Sequence, residues 1–231
     1  MDRLLEGYRR FRAEVWPAER DRYEALAKRG QRPETLVIAC SDSRVDPQTV
    51  FGAGPGELFV VRNVAGLVPP YSPDAGYHGT SAALEFAVQA LKVRHIVVLG
   101  HAHCGGIRAF ADEAEPLSPG DFIGKWTTLI APAADRLGKP DGDIEAYSAR
   151  LELAVIEQSL QNLMTFPYVK ALVERGRLQL HGAHFGISTG VLLVRDPESG
   201  TFGPALDGPA DRAVPAGRAV PAGRDAKRGA A

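Results

Sequence analysis

Two short apolar runs in this chain each end on residues that bind soft metals, and that pairing narrows the available folds more than any other feature. Leu36-Val37-Ile38-Ala39 lies between Pro33 and Pro47 and runs into Cys40; His95-Ile96-Val97-Val98-Leu99-Gly100 runs into His101, with Cys104 just beyond. Short, continuously apolar segments bounded by turn formers read as buried strands. Open α/β sheets build their sites at the carboxyl ends of such strands. The predicted class is therefore α/β, with a central, mainly parallel β-sheet flanked by helices.

Residues 2–28 alternate charge with apolar positions at helical spacing (Leu4, Tyr8, Phe11, Val15, then Tyr23, Leu26, Ala27), and Trp16-Pro17 is expected to divide them into two amphipathic helices. Residues 1–29 thus form an N-terminal helical arm, lying either on its own core or on a second subunit. Asp46 and Pro47 predict a capped short helix. Leu58-Phe59-Val60-Val61 is the second strand, and Thr80 is the expected N-cap of a helix reaching Leu91. Helices are expected around Ile107–Ala111, over 121–138, strongly over 143–164, and from Phe166-Pro167. Two late strands, at 178–182 and 191–194, are joined by a glycine-containing turn that allows antiparallel pairing. From about Gly203 the composition turns to small residues, Pro and Gly, and Arg-Ala-Val-Pro-Ala-Gly occurs twice, at 212–217 and 218–223. Such a segment buries too little area to offset ordering entropy. The expected division is an arm at 1–29, a metal-binding α/β catalytic domain at 30–202 and a flexible low-complexity tail at 203–231.

The 231 residues, 45% hydrophobic, suffice for one domain with a core. A formal net charge of −1 gives no broad field toward nucleic acid or an anionic membrane. No stretch approaches the roughly 18 uninterrupted apolar residues of a membrane span, and Met1-Asp2-Arg3-Leu4-Leu5-Glu6 has no apolar signal core. A cytoplasmic protein without nucleic-acid or membrane partners is the default expectation. The chain has 2 cysteines, Cys40 and Cys104; in a reducing compartment they are worth more as thiols than as a disulfide.

Cys40, His101 and Cys104 supply two thiolates and an imidazole, a donor set suited to zinc. Three protein ligands are the number typical of a catalytic zinc, and a structural site would ordinarily show four. His103 is the competing histidine; His101 is favoured because two intervening residues let the chain curl around one ion. Zinc lowers the pKa of a bound water to about 7. Two anionic thiolates oppose that effect, so the site calls for a group that orients the hydroxide. Asp42 is the candidate, with Arg44 as the cation that keeps it ionised. The plain alternative for both is a surface ion pair of little worth. His78, His95, His181 and His184 read as packing or solvent-facing residues.

Cys40-Ser41-Asp42-Ser43-Arg44 followed by Gly100-His101-Ala102-His103-Cys104-Gly105-Gly106 resembles the β-class carbonic anhydrases, in particular the plant-like subclass. The likeness runs from about Gly30 to Phe202; Arg62-Asn63-Val64-Ala65, Ala82-Ala83-Leu84-Glu85-Phe86 and Lys92 to His101 fall in the family's order. The resemblance implies one zinc per subunit on Cys40, His101 and Cys104, with Asp42 and Arg44 as the dyad that orients zinc-bound hydroxide. The expected reaction is reversible hydration of carbon dioxide to bicarbonate and a proton, a lyase activity. Phe59, Val64, Phe86 and the Gly105 backbone would line the substrate pocket, and Gln31 would reach substrate across a dimer interface. Phe86 stands where plant-like members carry tyrosine. The family fold implies a homodimer or tetramer in which N-terminal helices embrace the neighbouring subunit. Another subclass has a regulatory bicarbonate site built on tryptophan, arginine and tyrosine; Val37, Arg62 and Phe185 stand at those positions, so none is expected. The competing expectations are hydrolysis of carbon disulfide or carbonyl sulfide on the same fold, and a catalytically silent zinc-binding protein.

Overall fold

The computed structural model describes residues 1–74, 76–140 and 142–206. Six strands form one sheet: β1 (Thr35–Cys40), β2 (Leu58–Asn63), β3 (His95–His101), β4 (Gln179–Phe185), β5 (Leu192–Arg195) and β6 (Phe202–Pro204). Their order across the sheet is β2-β1-β3-β4-β5-β6. The first four run parallel, and β5 and β6 are antiparallel additions at one edge. β2 lies on one side of β1 and β3 on the other, so the winding direction reverses at β1. The crevice beyond the carboxyl ends of β1 and β3 is the switch point at which such sheets bind ligands.

The strands alternate between two apolar layers, as a pleated sheet requires. Leu36, Ile38, Ile96 and Val98 face a large cluster completed by Leu84 and Val88, by Ile156, Leu160 and Leu163, and by Phe166 and Val169. Apart from Phe166, the N-cap of the last, those residues come from Gly79–Glu85 (α4) with its continuation to Leu91, from Ile144–Leu163 (α8) and from Pro167–Glu174 (α9). Val37, Ala39, Leu99 and Ala183 face a smaller cluster with Val45, Val50, Phe185 and Ile187. A third cluster, at the strand ends, gathers Cys40, Leu67, Cys104, Ile107, Ile130, Tyr147, Leu151 and Val155. It draws on Gly105–Ala111 (α5), Ala131–Leu137 (α7) and α8. Burying a Leu or Ile side chain contributes about 1.5–3 kcal/mol, so these clusters fix where the strand ends sit.

The arm departs from its expected shape. Asp2–Arg10 (α1) passes into Trp16–Arg29 (α2) through a five-residue π-helical turn, Phe11–Val15, and the backbone stays helical throughout. Pro17 does not break the helix because the turn before it is already widened: the Trp16 N–H bonds to the carbonyl of Phe11 rather than of Arg12. None of the residues in these segments is buried. The short helix Pro47–Val50 (α3) forms with Asp46 as cap, its side chain accepting from the Thr49 N–H. Thr80 is not a cap: α4 begins at Gly79, and Thr80 Oγ1 accepts instead from Asn63 Nδ2 at 3.2 Å. β6 extends ordered structure to Pro204, two residues past the expected boundary at 202. The expected tail falls mostly on residues 207–231, outside the described residues. Among the described residues no helix is long and apolar enough to cross a membrane.

Candidate metal centre

β1 and β3 are in register from Thr35↔His95 to Ala39↔Leu99, so their last residues, Cys40 and His101, emerge side by side. After His101 the chain turns sharply at His103, whose φ of 55° is left-handed, and Cys104 comes back toward Cys40. The two Sγ atoms are 4.0 Å apart, and both cysteines are buried and free of any disulfide. Tetrahedral dithiolate coordination at about 2.3 Å per bond places two sulfurs at nearly that separation. The ligand atoms of Cys40, His101 and Cys104 lie within 4.8 Å of one another. His103, the competing histidine, is more than half exposed, with Nδ1 3.6 Å from Glu145 Oε1.

His101 is oriented for ligation. Its Nδ1 lies 2.9 Å from the Ala102 carbonyl oxygen, which can only accept, so Nδ1 carries the proton and Nε2 carries the lone pair. Nε2 is the one buried side-chain nitrogen or oxygen without a hydrogen-bond partner among the described residues. An orphaned buried acceptor costs roughly 1–3 kcal/mol, a cost that a cation at this position would remove. The Cys104 thiol beside it pulls Cys40 well below the usual thiol range, against the effect of burial and with help from backbone groups of Asp42 and Ala65. Cys104 is pushed up in turn, although backbone groups of Gly106 and Ile107 at the start of α5 work the other way. Two free cysteine sulfurs and an imidazole lone pair in one buried cluster fit a soft dication.

Asp42 and Arg44 meet on the loop after β1. Arg44 Nε is 3.0 Å from Asp42 Oδ1 and Nη2 is 2.7 Å from Oδ2, a two-pronged pair, and the Arg44 N–H adds a third bond at 2.9 Å. These bonds hold the Asp42 carboxyl well below the usual carboxylate range. Asp42 Oδ2 stands 3.9 Å from His101 Nε2. Arg44 Nη2 also donates to the His103 carbonyl at 3.0 Å, tying the two loops together.

Several residues that build the site give no such signal in the sequence. Arg62, at the end of β2, donates to three backbone carbonyls of the Cys40 loop: Cys40 at 2.9 Å, Asp42 at 2.6 Å and Val45 at 2.9 Å. Gly66 follows the strand with φ 63°, and a Cβ there would come within 3.1 Å of the Cys40 nitrogen. Glu152 and His184 are buried as a hydrogen-bonded pair behind Cys104. His95 and His181, read as packing residues, face each other with Nδ1 and Nε2 3.1 Å apart.

The expected pocket residues divide into two groups. Phe59 and Phe86 pack ring to ring at 5.9 Å, and Phe86 is half exposed. Val64 follows β2 and is 39% exposed. It approaches Gly106, whose added Cβ would meet Val64 Cγ1 at 2.8 Å. Gly105 opens α5, and a Cβ there would point into open space. Gln31 stands apart from these, exposed on the turn before β1, at the opposite end of that strand from Cys40.

A model of the carbonic anhydrase family matches residues 35–192. The chain belongs to the β-class carbonic anhydrase family. A carbonic anhydrase of Synechococcus elongatus is 36% identical over 196 residues, covering 84% of this chain and 71% of that protein. The β-carbonic anhydrase CcaA superposes with a TM-score of 0.78 at 32% identity, over 89% of this chain and 92% of that one. One of two tetrameric β-carbonic anhydrases from Sordaria macrospora gives 0.71 at 31% identity, over 84% and 95% respectively. The family's central sheet, its flanking helices and its helical N-terminal arm are the ones described above.

Proposed function

We propose that this β-class carbonic anhydrase hydrates carbon dioxide reversibly to bicarbonate and a proton, using one zinc ion held by Cys40, His101 and Cys104. The observation that carries the reading is the orphaned His101 Nε2 beside two thiols 4.0 Å apart. When bound, zinc supplies acidity, bringing the pKa of water to about 7.

The chain's own residues do the rest. Asp42 is anionic across the neutral range because Arg44 occupies both its oxygens. Its Oδ2, next to His101, accepts a hydrogen bond from the attacking solvent oxygen and so turns the lone pair toward the substrate carbon. Arg44 itself is fixed by the His103 carbonyl, so the acceptor is held before substrate arrives. Val64, exposed beside the start of α5, offers an apolar contact near the ligand loop, and the open side of Gly105 leaves room there; the Phe59–Phe86 pair, level with Leu36 rather than Cys40, can line a site only across an interface, as Gln31 would. Gln31 can serve a site only across an interface, since it lies at the far end of its own β1. The unburied arm Asp2–Arg29 supports self-association, as does the tetrameric Sordaria relative.

The test is metal analysis joined to stopped-flow hydration of carbon dioxide. About one zinc per chain and hydration that stops when zinc is stripped are expected. A zinc-loaded protein with no hydration above the uncatalysed rate would sink the reading.

A further inference from the structure

Behind the ligand loop, α8 carries a carboxylate into the apolar interior. Glu152 is 5% exposed, between Leu151 and Val155 of the strand-end cluster, and His184 of β4 is 8% exposed. A carboxyl group in such a place is retained only when its oxygens are bonded. Both are. Glu152 Oε2 is 3.0 Å from His184 Nε2, and Oε1 accepts from the backbone N–H of Cys104 at 3.1 Å. His184 stands opposite Gly100 in the β3–β4 register, one residue before the ligand His101.

That Cys104 N–H belongs to the same peptide unit as the His103 carbonyl, which accepts from Arg44. One peptide plane is therefore gripped from both sides, by Arg44 through its oxygen and by Glu152 through its N–H. The residue before it sits at a left-handed φ of 55°, a conformation that persists only when its surroundings enforce it.

We infer that Glu152, set by His184, is a positioning residue that locks the 103–104 peptide and thereby fixes both the Cys104 sulfur and the guanidinium of Arg44. The inference rests on the metal-centre reading above and adds a third layer to it: His184 holds Glu152, Glu152 holds the peptide, and the peptide holds a ligand on one side and the Asp42–Arg44 pair on the other. Partners behind a metal ligand orient it and tune its affinity.

The experiment is chelator competition for zinc on the full-length protein, comparing Glu152→Ala, Glu152→Gln, Glu152→Leu and His184→Ala with the unaltered chain. Glu152→Ala is expected to weaken zinc binding about 10- to 100-fold. Glu152→Gln keeps an oxygen for the Cys104 N–H and an amide that can donate to His184, so it should recover most of that loss. Glu152→Leu fills the same space without an acceptor and should lose as much as Glu152→Ala; zinc affinity retained in Glu152→Leu would mean that packing alone, not the hydrogen bonds, sets the peptide and would overturn the inference. Zinc affinity unchanged in Glu152→Ala, or a loss in Glu152→Gln as large as in Glu152→Ala, would overturn the inference. If Glu152→Ala does not fold, His184→Ala decides: it leaves the carboxylate in place but unanchored. Weaker zinc binding is then expected, and unchanged affinity overturns the inference. Zinc binding is read without turnover. A chain that binds zinc, shows the Glu152 effect and hydrates nothing defeats the proposed activity alone; a hydrating chain indifferent to Glu152 defeats this inference alone.

Discussion

The carboxyl ends of β1 and β3 and the N-terminal arm are built on opposite terms. At the strand ends the polar groups that matter are held by the same chain: Asp42 by Arg44, the Cys40 loop by Arg62, the Cys104 N–H by Glu152. Along Asp2–Arg29 no residue is buried, and Leu4 and Tyr8 remain mostly in solvent at 73% and 57% exposure. One region has its metal-holding loops braced within a single fold. The other shows apolar surface that a single chain leaves uncovered. Changes at the strand ends should therefore alter metal content while sparing assembly, and changes in the arm should alter assembly while sparing metal content.

The largest expected effect is that of Cys104→Ser. Elemental analysis should find zinc reduced from about one per chain to nearly none, because a hydroxyl replaces a thiolate in a three-residue ligand set. Light scattering should show the assembly state preserved; disassembly would erase the contrast between the regions. Next comes Asp42→Ala, expected to keep its zinc and lose about 100-fold or more in kcat, the usual contribution of a positioned proton acceptor. Undiminished stopped-flow hydration in that variant would remove Asp42 from the mechanism. Because Arg44 depresses the Asp42 carboxyl, the unaltered enzyme should show no titration of this group until pH falls below the ordinary carboxylate value of about 4.

Arg62→Ala is the intermediate case. It strands three carbonyls of the Cys40 loop and should lower stability by about 2 kcal/mol in urea unfolding, with some loss of zinc affinity; an unchanged midpoint would show that the loop holds itself. Deleting residues 2–29 should shrink the assembly in light scattering and leave zinc content near one per chain. If zinc falls with it, the arm is not separable from the site. The smallest effect is expected from removing residues 207–231, which should change kcat/KM by less than about twofold, since the ordered sheet already ends at Pro204.

Much of the fold was legible because strand and helix signals here are local. Leu36–Ala39 and His95–Gly100 are continuous apolar runs beside turn formers, and Asp46-Pro47 writes a helix start in two letters. The Cys40, Asp42, Arg44 and His101-to-Cys104 set was legible for the same reason, being confined to two loops. Glu152 and His184 were not, because nothing in Leu151-Glu152-Leu153 tells a carboxylate turned inward from one on a solvated face. That depends on α8 crossing behind α5, a relation between segments about 50 residues apart. Thr80 misled because a hydroxyl before an apolar stripe suits a helix cap as well as it suits Asn63. Pro17 misled because its usual disruption was absorbed by a widened turn just upstream, which no local rule foresees.

The two sulfurs belong to residues 64 positions apart in the chain, one ending β1 and the other on the loop after β3, strands that pair only in the folded sheet. An ion gripped by both would act as a rivet, holding closed a long loop whose closure costs the chain entropy. Metal capture would then be linked to the docking of β1 against β3: stripping the ion would remove one tie at the sheet's centre, and a chain that has not yet joined these strands would have no preformed place for it.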